Sequence, residues 1–257
     1  FRSCALTGEN FGTDPSDISV SFNGTPAEFE LVDESTIVAT TPADYQTGSV
    51  TVTIHGYTMT GGAMFNPNSK GDVTVLYLQN YKQPFAKAND ESWKNGEWWT
   101  PAVWNQNAAS FNAKGNTTVS GMQYKSEEGL TLAFQNGWDK EAYTNGKMWQ
   151  VATLRPGKYR LEVTYAYTLV VTDAGNFISV LIAKGDSESD IPNVADLEQL
   201  NGVYVAYDKM GTANDSGTLV TPSFEVTETT DVVIGFLTSL AKGNSYFKVT
   251  ELKLILE

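Results

Sequence analysis

The chain has 257 residues and a formal charge of −13 at pH 7. A surface this acidic repels phosphate, which excludes nucleic acid as a partner and favours neutral or cationic ones. No run reaches the ~18 apolar residues that a membrane span needs, so no membrane insertion by this chain itself is expected.

Phe1 opens the chain without a start methionine, a basic n-region or an apolar h-region, so any targeting segment is expected to lie ahead of it. Cys4 is the single cysteine, which excludes an internal disulfide framework and a cysteine metal cluster. It could be a lipid-bearing thiol, but Arg2 stands where a lipoprotein signal is small or apolar, so a buried strand thiol is the expected role. Residues 18–22, 27–31, 36–40 and 49–54 alternate or run as β-branched and aromatic stretches between turn-formers, and read as strands. His55 is the only histidine and sits at a strand end. Zinc-type sites and Cys/His catalysis therefore lack ligands and bases, and no G-x-S-x-G elbow offers a partner for a triad. The polar stretch from Asn66 to Asp72 reads as a boundary, giving domains 1–66 and 73–257, and the first carries −7 of the −13 charge.

All six tryptophans fall between positions 93 and 149, interleaved with Asn, Gln, Gly and Asp, a mixture suited to stacking on sugar rings and hydrogen bonding to hydroxyls. Trp98 and Trp99 would face opposite sides of a strand, which makes one of them core. Trp93 and the run Trp104-Asn105 have loop character, with turn capping by the amides as the alternative. In the 136–146 loop, Trp138, Asp139, Tyr143 and Asn145 can converge on a ligand, with Trp138 as a core plug the alternative. Trp149 reads as core, in a strand that leads through Arg155-Pro156-Gly157-Lys158 into a predicted hairpin. Residues 159–167, 177–183, 231–237 and 246–256 are further strands, with Tyr165 and Tyr167 on one face. Asn193 would cap a short helix over 194–200. Asp139 and the 186–190 loop could offer oxygens to calcium, but neither has a calcium-loop spacing, so no metal or cofactor is predicted. The candidate ligand-binding residues are Trp138, Asp139, Tyr143, Asn145, Trp104, Asn105, Trp93 and Trp98.

In the first segment, Leu6-Thr7-Gly8-Glu9-Asn10-Phe11-Gly12, then Val20-Ser21-Phe22-Asn23-Gly24, Thr40-Thr41-Pro42 and Gly48-Ser49-Val50-Thr51-Val52 follow the order of the IPT/TIG immunoglobulin-like family. The segment resembles that family over most of positions 3–56, with Asn10 a turn residue and Phe11 core. The family's leading strand is missing before Leu6, which leaves a sheet edge exposed. The second segment carries Leu154-Arg155-Pro156-Gly157-Lys158-Tyr159-Arg160-Leu161 and closing strands at 224–228, 233–236 and 247–249. It is similar to the jelly-roll, galactose-binding-like domains of unknown function in Bacteroidetes surface glycan-utilisation lipoproteins.

The expected fold is all-β, an immunoglobulin-like sandwich followed by a larger jelly-roll sandwich. The resemblance implies a non-catalytic, outer-membrane-anchored protein at the cell surface that binds a polysaccharide or oligosaccharide, with other surface proteins of a glycan-uptake complex as further partners. Two alternatives stand beside it: a structural or adhesive module that binds another protein, and a glycoside hydrolase, which would need two carboxyl groups about 5–10 Å apart in a cleft.

Overall fold

A computed structural model describes residues 3–43, 45–66, 69–89, 97–111, 120–137, 142–241 and 243–257. The chain parts into two compact units between residues 76 and 77. The first holds β1 (Ser3–Thr7), β2 (Ile18–Phe22), β3 (Thr25–Ala27), β4 (Phe29–Asp33), β5 (Thr36–Thr40), β6 (Gly48–Ile54), β7 (Tyr57–Met64) and the two-residue β8 (Gly71–Asp72). One sheet has the order β1-β5-β4, with β1 at its edge, and the other β3-β2-β6-β7. The alternation predicted these faces. Ile18, Val20 and Phe22 turn inward beside Val50 and Val52, and Phe11, Ile37 and Ala39 complete the core. Phe22 meets Tyr45 edge to face, with ring centroids 5.6 Å apart. Cys4 is half-buried against this cluster. His55 (φ 48°) and Gly56 (φ 82°) make the tight turn between β6 and β7, and the His55 Nδ1 lies 3.2 Å from Asp17 Oδ2, a structural position.

One strand differs from expectation. Residues 27–31 split at Glu28 into β3 and β4, which belong to different sheets. Ala27, Phe29 and Leu31 keep their inward alternation across the crossover, so periodicity alone does not reveal where the chain changes sheets.

The second unit contains β9 (Trp98–Trp99), β10 (Asn105–Gln106), β11 (Ser120–Lys125), β12 (Gly129–Asn136), β13 (Tyr143–Leu154), β14 (Gly157–Thr168), β15 (Phe177–Lys184), β16 (Gly202–Ala206), β17 (Asp215–Val220), β18 (Phe224–Val226), β19 (Thr230–Leu240) and β20 (Ser245–Leu256). Five strands form one sheet in the order β10-β13-β19-β15-β16. The facing sheet runs β17-β14-β20-β12-β11-β9, with β18 also paired to β14. The two layers meet where Phe134 of β12 packs on Phe236 of β19, ring centroids 4.8 Å apart, making the expected jelly-roll sandwich.

The Pro-Gly segment is not a hairpin turn. β13 pairs with β10 and β19, whereas β14 pairs in the opposite sheet, so residues 155–156 carry the chain from one layer to the other. Leu154 and Tyr159 are both fully buried on either side of this corner, and the Tyr159 hydroxyl donates to the Arg155 carbonyl at 2.9 Å. The short helix predicted over 194–200 is a 3-10 helix, Val194–Gln199. Val194, Leu197 and Leu200 lie over Trp149, Leu181 and Leu237 on the outer face of the five-stranded sheet.

Gly235 makes room for that outer cluster. It stands opposite Trp149 in β13 and Leu181 in β15, and a Cβ there would lie 2.1 Å from the Met148 carbonyl oxygen and 2.7 Å from Trp149 Cα. Gly235→Ala is therefore expected to destabilise the second unit by about 2–3 kcal/mol. In contrast, a Cβ at Gly62 in β7 meets nothing within 4 Å, and Gly62→Ala should be close to neutral. Scanning calorimetry of both variants checks this, and equal melting behaviour would refute the packing argument.

Candidate functional site

The site grows from the alternation of β11, β12 and β20. Met122, Leu132, Phe134, Phe247 and Val249 are fully buried in the sandwich core. Their sequence neighbours must therefore project from the opposite, outer face of the same sheet. Directly opposed residues share a face, and the register pairs Gln135 with Tyr246, Ala133 with Lys248, and Gln123 with both Thr131 and Trp98. This face forms one wall of a cleft of about 410 Å³ lined by Trp98, Gln123, Gln135, Asn136, Tyr167 and Tyr246, with the exposed Asn214 and Asn244 at its margin.

Two features of this lining are unusual. Buried side-chain oxygens are normally hydrogen-bonded, yet among the described residues Gln123 Oε1 and Asn136 Oδ1 have no hydrogen-bond partner. The Asn136 amide is held in place because its Nδ2 donates to the Leu240 carbonyl at 3.1 Å. Tyr167, at φ 52°, is in the left-handed region, which bulky side chains rarely adopt. It lies in a bulge of β14 between Tyr165 and Thr168. The bulge overturns the expectation that Tyr165 and Tyr167 share a face: Tyr165 is buried, while Tyr167 is 39% exposed at the cleft.

The core side of the bulge is fixed by Asp215. Its Oδ2 accepts from the Tyr165 hydroxyl at 3.0 Å and the Tyr207 hydroxyl at 2.9 Å, and Lys209 Nζ lies 3.7 Å from Oδ1. Burial alone would raise this carboxyl, but the two tyrosine hydrogen bonds and Lys209 hold it below the ordinary aspartate value. Burial and the neighbouring Asp215 push both tyrosine hydroxyls up.

Charge in the cleft comes in two pairs. Lys125 Nζ lies 3.4 Å from Glu97 Oε2, both side chains being nearly half exposed. Lys248 is ion-paired with Glu128, and its side chain is only 5% exposed. Burial pulls the Lys248 ammonium below the usual lysine range, and Glu128 acts against that pull. Lys248 Nζ also sits 5.4 Å from the Tyr246 ring centroid.

Of the described residues predicted from the sequence, only Trp98 lines this cleft, and it does so as a fully buried ring without an exposed face to stack on. Trp104 is core, 5% exposed, packed on Phe236 with its indole N–H donating to the Asn80 carbonyl at 3.0 Å. Tyr143 is core as well, 3% exposed, with its hydroxyl donating to Thr238 Oγ1 at 3.1 Å and pushed up by burial. Asn145 is structural. At φ 57° in the β13 bulge, its Oδ1 accepts from the Val194 backbone N–H at 2.9 Å and anchors the 3-10 helix. Asn105 is exposed on β10, at the edge of the other sheet, and does not line the cleft. Trp93, Trp138 and Asp139 lie outside the described residues. Among the described tryptophans, Trp98, Trp104 and Trp149 are buried in three different places. The residues that sequence reasoning missed are Gln123, Gln135, Tyr167, Tyr246 and Lys248. Tyr246-Phe247-Lys248-Val249 did carry a signal, because its alternation puts Tyr246 and Lys248 on the face away from the core.

Among the described residues no group of three or more His, Cys, Asp and Glu is placed to hold a metal ion, and no helix is long and apolar enough to cross a membrane. A second cavity, of about 460 Å³, lies in the first unit between β1 and β7. Its lining of Leu6, Phe11, Val50, Val52, Met59 and Met64 offers little to orient a polar ligand.

Residues 79–235 match the family described as a domain of unknown function, DUF5013, and residues 4–69 match the IPT/TIG domain. Among proteins of curated function none matches the chain. Solved structures with similar sandwiches include the C-terminal CBM6 of LamC, a marine laminarinase from Zobellia galactanivorans, at 13% identity and TM-score 0.32, covering 59% of this chain and 98% of that one. The CBM22-1 xylan-binding domain of Paenibacillus barcinonensis Xyn10C has 11% identity and TM-score 0.36, covering 66% and 97%. The Stig cyclase FisC from Fischerella sp. TAU has 12% identity and TM-score 0.43, covering 74% and 98%. At such distances neither binding nor catalysis transfers.

Asp215 provides a test of how the bulge is supported. Asp215→Ala leaves the Tyr165 hydroxyl without its acceptor, while Tyr207 keeps the Lys209 carbonyl at 3.0 Å. The expected cost at pH 7 is about 2 kcal/mol. Because the folded carboxyl lies below its unfolded value of about 3.9, its contribution is complete above that pH and is lost as pH falls through the folded value. Urea unfolding of wild type and variant should differ at pH 7, with the gap narrowing only as pH falls below the ordinary aspartate range. A gap that stays constant with pH would sink this account.

Proposed function

The chain belongs to the DUF5013 family, with an IPT/TIG domain ahead of the family's domain, and we propose that its second unit is a non-catalytic carbohydrate-binding module. The observation that carries this reading is the pair of buried acceptors, Gln123 Oε1 and Asn136 Oδ1, beside two tyrosines in one cleft. An acceptor left unmet in a buried site costs about 1–3 kcal/mol. A ligand rich in hydroxyl donors recovers that cost on binding. A sugar also presents a weakly positive C–H face, which suits the negative face of the Tyr167 and Tyr246 rings. The amides of Gln135, Asn214 and Asn244 add both donors and acceptors around the same space.

A glycoside hydrolase is the less favoured reading of this cleft. Its carboxylates among the described residues, Glu97 and Glu128, are each tied to a lysine, where a general acid requires an apolar pocket that keeps its proton on. In the proposed role the protein works at the cell surface, anchored to the outer membrane, and holds a polysaccharide or oligosaccharide for other proteins of an uptake complex. Individual contacts in an open cleft are weak, and repeated units along a polymer raise retention through avidity. The IPT/TIG domain serves as a spacer.

Calorimetric titration against a panel of soluble polysaccharides tests the proposal. Tyr246→Ala should weaken binding about tenfold, in line with loss of a stacked aromatic contact and its neighbours. Gln123→Met separates function from structure. With no partner for its Oε1 among the described residues, its loss should leave the melting temperature unchanged or raised while abolishing tight binding. A Gln123→Met protein that melts earlier and binds normally would assign the side chain to the scaffold and remove the main support for a sugar site.

A further inference from the structure

The charge arrangement of the cleft bears on which sugars it accepts, an inference that rests on the carbohydrate-binding reading above. The chain carries −13 overall, yet among the described residues the charged side chains lining the cleft are Glu97, Glu128, Lys125 and Lys248, which cancel. The cancellation is local. Lys125 is paired with Glu97 at 3.4 Å, and Lys248 with Glu128. The second pair is the more constrained, since its side chains are only 5% and 19% exposed.

A uronate or sulfate on a sugar would seek an ammonium group. Engaging Lys248 would pull that ammonium from Glu128 and leave a carboxylate with little solvent in the same cleft, next to the incoming anion. Removing one partner of a buried ion pair is strongly unfavourable because the other charge remains uncompensated. Engaging Lys125 instead meets the same objection from Glu97 in weaker form, because that pair is more exposed and better screened. A neutral sugar meets no such conflict. Its hydroxyls can donate to Gln123 Oε1 and Asn136 Oδ1 and to the free lone pairs of the carboxylates, and can accept from the remaining ammonium protons, with both ion pairs intact.

We propose that the cleft selects neutral glycans over uronate- or sulfate-bearing ones, and that Glu128 is the residue that sets this preference by holding Lys248. Like-charge exclusion by an opposed group is a common route to specificity, because discrimination comes from what the rejected ligand cannot satisfy.

The experiment compares neutral hexose oligosaccharides (cello-, manno- and galacto-hexaoses) with the same oligosaccharides oxidised at C6 to uronates, titrated calorimetrically at pH 6 into the full chain. Wild type should bind at least one neutral oligosaccharide, and its C6-oxidised form about tenfold or more weakly. Glu128→Gln keeps the side chain's size, frees the Lys248 ammonium and should narrow or reverse that ratio about tenfold, with a new dependence on salt. The double variant Glu128→Gln/Lys248→Met removes both charges and should return to the neutral preference. It also keeps the test decisive if the single variant is misfolded by circular dichroism. A wild type that binds neutral and oxidised forms equally, or prefers the oxidised ones, overturns the inference while leaving the carbohydrate site standing. So does a folded Glu128→Gln protein with an unchanged ratio. A wild type that binds no oligosaccharide of either kind overturns the carbohydrate reading itself, and this inference with it.

Discussion

The contact between Phe134 and Phe236, ring centroids 4.8 Å apart, is where the two sheets of the second unit join, and the cleft depends on it. Once Phe134 is committed to the interior, side-chain alternation commits Gln135 to the exterior. Through the register of β12 with its neighbours, Tyr246, Lys248 and Gln123 follow. A slip of one residue would put the amides and the lysine into the sandwich core and the phenylalanines outside, at a prohibitive desolvation cost. The binding face is thus specified by the packing on its reverse side. Phe247 enforces the same choice from β20, packed with Tyr165 at 5.1 Å and Tyr207 at 5.4 Å.

That dependence explains what could be read from the sequence. Strands at 18–22, 36–40, 177–183 and 246–256 were legible because alternation is a local property, and turn-formers marked their ends. Sheet membership was not, because it depends on partners distant in sequence. Glu28 and the Pro156-Gly157 corner are both places where the alternation continues while the chain changes layers. The bulge in β14 is invisible for a different reason. It shifts the phase by an extra residue, so Tyr165 and Tyr167 look equivalent in sequence and point to opposite sides in the structure.

The described tryptophans show that composition does not separate core rings from exposed ones. Large rings bury the most area, so a sandwich with few aliphatic residues in its loops spends them inside. Trp104 and Trp98 are both deep, and Asn107, in the polar run after Trp104, satisfies the backbone N–H groups of Ser110 and Lys147. Among the described residues the rings that reach the cleft with exposed surface are those of tyrosines, Tyr167 and Tyr246.

Cost and use coincide at the cleft. A scaffold optimised only for stability would hydrogen-bond Gln123 and Asn136 or replace them, would place glycine at position 167, and would not bury Lys248. Each departure is local, and each is supported by ordinary structure nearby: Leu240 holds Asn136, Asp215 holds Tyr165 beside the bulge, and Glu128 holds Lys248. The left-handed Asn145 in β13 lacks this character. Its polar contacts are internal, to Ser239, Val194 and Asn107. Strain that is fully repaid inside the protein marks architecture, whereas strain beside unmet acceptors marks a surface awaiting a ligand. By that criterion the β11–β12–β20 cleft is the surface that the proposed ligand would occupy.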